Sequence, residues 1–507
     1  MNAVVNNSLI AKKTLMLFFR MLLNIAIQLY SFPIVLKALG IEDYGLYNVI
    51  GSIMAMVYLV SFIASGCQRF FAYSIGRGDY DQLRKMFNST VTIYFLITIV
   101  VFVFLEVIGI WFMNNKMQIP PGRLIAAHWV FQLSAISFLV TLMAVPYGSL
   151  IIAHEKMNIY AYIGIATSVL KLLAAIAIAH VSYDRLIFYA LFILFIQLSE
   201  RIYNQIYCIR HFKESRNWKL EIDKKLIREL LIYSGFNIIG AIAITVRKQG
   251  MNVLMNLFFG TILNAAHGIA LQIQTIIEQL VNNIYQASRP QITKSYAMGE
   301  IDEMWRLVFR TSLLSYYLIM ILSVIVVFEL PTILSFWLNE VPRYTVNICR
   351  VFVSCVLLET ISNQLIGVFQ AMNRIKNYQV VSSVLLLFNI PVAYFMLKHN
   401  SSDVMTPYYV QFAISILYVI SVIIISVKVS HMKFDYFFFH VFLREIVITI
   451  VVALLIYYQT SLLMPSLFRV FMTTISCVII SGIIILVIGF DKQDLRILRR
   501  KLSHFNM

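Results

Sequence analysis

The sequence predicts an all-α polytopic membrane protein with about fourteen transmembrane helices, and three observations predict it. Hydrophobic residues make up 60% of the 507 positions, charged residues only 13%, and the mean hydropathy is +0.81; a soluble domain is about 25% charged. Many apolar runs exceed the ~18 residues that mark a membrane helix. None shows the short alternating segments of a transmembrane β-barrel, which is thereby excluded.

The spans read in order as about 14–36, 44–66, 90–113, 124–152, 159–180, 186–208, 230–258, 261–287, 311–336, 348–370, 378–397, 408–427, 443–460 and 470–490. Thr14 opens the first, and no small-residue cleavage site follows it at signal-peptide distance, so it is expected to be a retained helix. Pro33 and Pro391 fall inside spans and predict kinks, which membrane helices tolerate. Glu106 and Glu329 fall toward outer ends and are expected at the interface; Lys171, mid-span five, is expected to pair with a neighbour or backbone.

Orientation follows from Lys and Arg. Of the 41, segments on the amino-terminal side hold 28 and the opposite loops hold 8, alternating loop by loop. Both termini are therefore expected in the cytoplasm, and topology accounts for most of the net charge of +17 without any nucleic-acid partner. Five cysteines form neither a CxxC pair nor a Cys/His cluster, so no disulfide framework and no metal site is expected.

The longest soluble segment, HFKESRNWKLEIDKKLIRE, follows span six and reads as a solvated basic linker resting on anionic lipid. It divides the chain into an N-terminal six-helix lobe (1–208), a linker (209–229), a C-terminal six-helix lobe (230–430) and a C-terminal pair of helices with a tail (431–507). Outward loops are too short for a soluble catalytic domain. Span one ends in LKALGIEDYGLY and span seven in NLFFGTILNAAHGIA; aligning Gly40 with Gly260 gives an internal repeat at an offset of 220 residues. Two-lobe transporters place such repeats at the start of each half.

Polar seams locate the candidate site. Span seven carries Arg247 and Lys248 in an otherwise apolar stretch, and a charge at bilayer depth costs at least ~2.5–3.5 kcal/mol, so it faces protein or water. At ~100° per residue, Thr245, Lys248, Gln249, Asn252 and Asn256 share one face, as do Asn264, His267, Gln274, Glu278 and Asn282 on span eight. Any single amide here reads as interhelical glue; ten polar residues on two adjacent seams read as the wall of a wet cavity. On a straight helix Arg247 points ~150° away from that seam, so only one of the two cations faces the cavity unless Gly250 bends the helix. Span one aligns Lys13, Arg20, Asn24, Gln28 and Ser31; span two has its own arc from Tyr47 to Arg69; span ten adds Glu359, Asn363 and Gln370.

Fixed cations favour an anionic ligand such as a pyrophosphate, and amides and hydroxyls suit sugars. The candidate cavity residues are Arg20, Asn24, Gln28, Arg247, Lys248, Asn252, Asn256, His267 and Gln274, with Glu278 the candidate for ion coupling or gating. There is no P-loop, GxSxG or HExxH. No catalytic residue or cofactor is expected, and any transport is secondary or depends on another subunit.

Several stretches together resemble a known family. LGIEDYGLYNVIGS (Leu39–Ser52), VPYGSLIIAHEKMNIYAYI (Val145–Ile163), QGMNVLMNLFFGTILNAAHGIALQ (Gln249–Gln272) and ASRPQITKSYAMGE (Ala287–Glu300) are similar to signatures of bacterial polysaccharide-biosynthesis membrane proteins. These are the lipid-linked oligosaccharide flippases of O-antigen translocase type, in the multidrug/oligosaccharidyl-lipid/polysaccharide exporter superfamily. The resemblance implies two six-helix lobes around a central cavity lined by spans 1, 2, 7 and 8. It implies transfer of a polyprenyl-pyrophosphate-linked glycan to the outer leaflet of the bacterial inner membrane, for O-antigen or capsule synthesis. Cavity cations on the first and seventh helices map to Arg20 and to Arg247 or Lys248. Expected partners are that glycan-lipid, membrane lipids, and the polysaccharide polymerase and chain-length machinery. Two rivals remain: a multidrug cation antiporter of the same superfamily, which Glu278 keeps open, and a membrane glycosyltransferase or O-antigen polymerase.

Overall fold

The computed structural model describes residues 7–57, 63–154, 156–216, 218–220, 224–338, 340–372, 374–399, 403–430 and 432–489. Within those helices the side chains of 7–22, 56–57, 63–66, 69, 73, 224–238, 283, 286–287 and 290 are not described.

All regular structure among the described residues is helical. In lipid a backbone satisfies its own polar groups only as a helix or a closed barrel, and the apolar runs select the helix. The elements are α1 (Asn7–Leu39), α2 (Ile41–Val57), α3 (Ile63–Arg77), α4 (Tyr80–Asn115), α5 (Leu124–Ala153), α6 (Met157–Ala179), α7 (Arg185–His211) and α8 (Lys224–Phe259). They continue as α9 (Thr261–Ala297), α10 (Ile301–Trp337), α11 (Thr345–Ala371), α12 (Ile375–His399), α13 (Thr406–Ser430), α14 (Phe434–Leu462) and α15 (Leu467–Gly489). Wherever an expected span falls on described residues it coincides with helix; residues 58–62 of the second span and 490 of the last lie outside them. Ten of these helices are long and apolar enough to cross a membrane, and the bent α1–α2 pair makes an eleventh. The polar seam of α9 keeps that 37-residue helix out of the set, and residues 224–238 of the 36-residue α8 have no described side chains.

The two repeat glycines adopt one conformation. Gly40 (φ +80°) ends α1 with its N–H donating to Leu36 O at 2.8 Å; Gly260 (φ +80°) ends α8 with its N–H donating to Asn256 O at 3.1 Å. Both are left-handed helix caps, a conformation that costs an L-residue roughly 1–2 kcal/mol. The first bends the α1–α2 pair by 116°.

The chain packs as two compact units, Met1–Ala265 and Ala266–Met507. The division falls inside α9, and α8 packs along α2 and α3 of the first unit. In the first unit α5 is the hub, touching α2, α3, α4 and α7, while α1 packs on α6. Its core is built on Leu46, Ile50, Leu105, Phe131 and Leu142 on one side and Phe71, Phe87, Tyr94 and Leu150 on the other. The outward face of α4 leaves Val100, Val103 and Val107 exposed, an apolar surface that only lipid covers at no cost.

In the second unit α10 packs on α11, α14 and α15, and α13 bridges α11 and α12. Glu329 is not interfacial as expected: it is fully buried. Arg469 of α15 donates to its Oε2 from Nε (3.1 Å) and Nη2 (2.9 Å), and Thr473 donates to Oε1 at 2.8 Å. Breaking such a buried pair from one side costs about 3–5 kcal/mol, so this contact pins the C-terminal helix to α10. Lys171 is exposed on α6.

Candidate functional site

The turn at Gly40 is held by a double carboxylate clamp. Arg123, just before α5, donates to Asp43 of α2 through Nε (2.8 Å) and Nη2 (2.5 Å). The same guanidinium meets Asp184 through Nη1 (2.5 Å) and Nη2 (3.0 Å). Asp184 also caps α7, accepting from the N–H groups of Leu186 and Ile187 at 3.1 and 3.3 Å. Arg185 donates to Ala38 O at 3.2 Å. Burial pushes the Asp184 carboxyl up, but Arg123 and the two amides outweigh it and hold it below the usual carboxylate range. The hydrogen bond to Asp184 raises Arg123 in turn, whereas burial raises the Asp43 carboxyl above its ordinary value in spite of Arg123.

Next to it, a buried amide network joins α2, α8 and the start of α9. Asn252 donates to Ser52 Oγ at 2.6 Å and to Asn48 Oδ1 at 3.3 Å. Asn264 donates to Asn252 Oδ1 at 2.7 Å, and Asn256 donates to Asn264 Oδ1 at 2.9 Å. Asn48 donates to Asn264 O at 3.1 Å, and the Gln118 N–H donates to Asn256 Oδ1 at 2.9 Å. A Cβ at Gly45 would overlap the Thr261 carbonyl, so only glycine permits this approach of α2 to α9. Asn252, Asn256 and Asn264 are each 0% exposed. Their amides are thus engaged with the protein itself rather than presented to an open cavity, which is the interhelical role that the sequence left as the alternative.

The cations lie nearby in sequence but not on one face. Arg247 is 3% exposed within α8, while Lys248 is only partly buried. Arg20 lies outside the residues whose side chains are described. On α1 Asn24 accepts from Ser168 Oγ of α6 at 2.8 Å, and Gln28 is exposed.

A further seam on α7 went unnoticed in the sequence. Arg201 sits over the Tyr147 ring at 4.9 Å and donates to Gln205 Oε1 at 2.7 Å. Glu200 accepts from Thr167 at 3.3 Å and Gln197 accepts from Thr141 at 3.3 Å. The run QLSERIYNQ carried the signal: five polar residues at helical spacing in the second half of a span.

In the second unit His267 is fully buried, with Nδ1 3.2 Å from the Tyr408 hydroxyl and its ring edge-on to Phe352. Gln274 donates to Glu278 Oε1 at 2.7 Å, and Glu359 accepts from Ser415 Oγ at 2.7 Å. On α9, then, His267 reaches α13, whereas Gln274 binds Glu278 one turn along its own helix.

The linker departs from a solvated strap at one point. Glu214 is buried, 2.5 Å from His154 Nε2, and the Phe212 ring stacks on His154 at 3.9 Å. Burial pushes the Glu214 carboxyl up, but the His154 contact outweighs it and the net shift is downward.

Residues 10–296 match the family described as polysaccharide biosynthesis protein. No curated protein matches the sequence. A lipid II flippase, MurJ, in an inward closed conformation aligns with a TM-score of 0.70 at 12% identity, over 94% of this chain and 98% of its own. A multidrug resistance MATE family transporter of the MOP superfamily, inward-facing, aligns at 0.62 and 9% identity, over 79% of this chain and 96% of its own. A MOP superfamily transporter from Pyrococcus furiosus aligns at 0.60 and 10% identity, over 84% and 96%. With the helical fold, the paired glycine caps and the family match across more than half of its length, the chain belongs to the polysaccharide biosynthesis protein family and has the fold of the MOP superfamily.

Proposed function

We propose that the protein is a secondary transporter, a flippase that moves a polyprenyl-pyrophosphate-linked oligosaccharide from the cytoplasmic to the outer leaflet of the inner membrane for surface polysaccharide synthesis. The observation that carries this reading is Arg247, an arginine 3% exposed inside a membrane helix of a polysaccharide-family chain. A buried guanidinium offers a fork matched to phosphate oxygens, and the lipid tail can stay in the bilayer while the headgroup crosses. Arg20, Asn24, Gln28 and Lys248 complete the cationic, hydroxyl-binding path, and Glu278 serves coupling or gating.

The amide network supports alternating access. Each interhelical hydrogen bond in a membrane is worth only ~0.6 kcal/mol on average, so α2, α8 and α9 can be held shut by several such bonds and still part during a cycle. Once they part, Asn252 and Asn256 face the sugars. Charge-assisted contacts offset the loss of water around the phosphates, and two or three cations keep binding weak enough for release.

The test is leaflet-resolved labelling of the lipid-linked glycan in membranes with and without this protein. Outer-leaflet label that depends on the protein supports the flippase. Label that is equal in both membranes overturns it. The rival, a multidrug cation antiporter, rests on the interior acids Glu278 and Glu359; it predicts proton- or sodium-driven efflux of organic cations with glycan-lipid transfer unchanged.

A further inference from the structure

Glu445 of α14 lies outside every element given to the substrate. It is 0% exposed, and among the described residues neither carboxyl oxygen has a hydrogen-bond partner. Glu329, the other buried acid facing the C-terminal helices, shows what is missing: its oxygens receive Arg469 and Thr473.

Four polar side chains near Glu445 give their protons to other oxygens. Thr449 donates to the Glu445 backbone carbonyl at 2.7 Å, so the Tyr316 hydroxyl is the donor in its 2.9 Å contact with Thr449 Oγ1. Tyr317 donates to Gly489 O at 3.2 Å. Ser312, the side chain best placed to favour a charge on Glu445, donates to Ile361 O at 3.3 Å. The titratable groups acting here are Tyr316 and Tyr317 from α10, with Arg444 on α14 itself; the Ile485–Gly489 turn of α15 contributes none. With those protons directed elsewhere, both oxygens of the buried carboxyl stand without a hydrogen bond among the described residues. A bare carboxylate in that position is among the costliest groups to bury.

We propose that Glu445 is a binding site for one monovalent cation, in the wall formed by α10, α14 and the end of α15. One carboxylate supplies one negative charge, which a proton or a sodium ion neutralises. A divalent ion takes six to eight oxygens and commonly several carboxylates, and the site has one. The Tyr317–Gly489 bond ties the end of α15 to the same wall, so occupancy of the site bears on how the two C-terminal helices are held.

Full-length protein in liposomes is treated with dicyclohexylcarbodiimide, which modifies protonated carboxyls in apolar surroundings, and the peptide containing Glu445 is quantified by mass spectrometry. Modification is expected at Glu445, rising several-fold as the pH is lowered if the cation is a proton. Protection by sodium chloride but not choline chloride identifies sodium. Glu329, held in its ion pair, stays unmodified and serves as the internal control. Absence of modification at Glu445, or modification indifferent to both pH and sodium, overturns the site. Glu445→Gln removes the label; if that variant fails to fold, the native protein still decides. None of these outcomes depends on which substrate is transported.

Discussion

Asn264 reaches back across the Gly260 turn to hydrogen-bond Asn252, 2.7 Å from Nδ2 to Oδ1. This bond, with those to Asn48 and Ser52, makes one polar knot of three helices. Asn264→Leu leaves the Asn252 and Asn256 amides without their partner, and a buried unsatisfied group costs about 1–3 kcal/mol. The thermal unfolding midpoint in detergent should fall accordingly. An unchanged midpoint would mean that the knot contributes nothing.

Arg123 answers both Asp43 and Asp184. Arg123→Ala should destabilise the protein by about 1.5–3 kcal/mol, the range for hydrogen bonds to charged groups, and Arg123→Lys should recover part, since charge survives without the fork. The pH profile follows from the lowered Asp184 value. Its contribution is complete above the unfolded-state value near ~3.9 and disappears as pH falls through the lower folded value. Unfolding midpoints of native protein and Arg123→Ala should therefore differ at neutral pH and converge only in strong acid.

The cations bear on transport. Arg20→Ala and the Arg247→Ala/Lys248→Ala double variant should each insert normally and lose most transport, while Arg20→Lys retains part. Full glycan transfer by well-expressed charge-removed variants would reduce these residues to helix anchors that snorkel toward the interface.

Glu278 is held by Gln274 at 2.7 Å. If it couples transport to an ion, Glu278→Gln changes the pH or sodium dependence of glycan transfer while the protein still inserts. A transporter that responds to both conditions as before sinks the coupling role.

Topology is open to direct measurement. Cysteines placed beside Lys116 and Lys398 should react with an impermeant thiol reagent added outside, and those beside Lys219 and Arg499 should not. The five native cysteines are free, and all are buried, so background labelling should be low. Reversed labelling would invert the assignment of sides.

Much of the fold was legible in the sequence because the membrane leaves the backbone so few choices. Apolar runs became helices where they were read, and the repeat at Gly40 and Gly260 was readable because each position demands a left-handed cap. The site was less legible. A period of ~100° per residue tells which side chains share a face but not what that face meets. Asn252 and Asn256 share the Lys248 seam, and only the packing of α2 against α8 and α9 turned that seam into an amide knot. Arg201 and Glu200 were in plain view, yet their partners Tyr147 and Thr167 come from other helices. Glu329 looked interfacial because its partner, Arg469, lies 140 residues away and only the docking of α15 brings it in. Glu445 shows the converse: sequence alone cannot distinguish an acid that will be paired from one that will not. Local spacing decides secondary structure because helix hydrogen bonds are local. Whether a buried charge is neutralised, solvated or left for a ligand is decided by contacts between distant segments, and those exist only once the helices have packed.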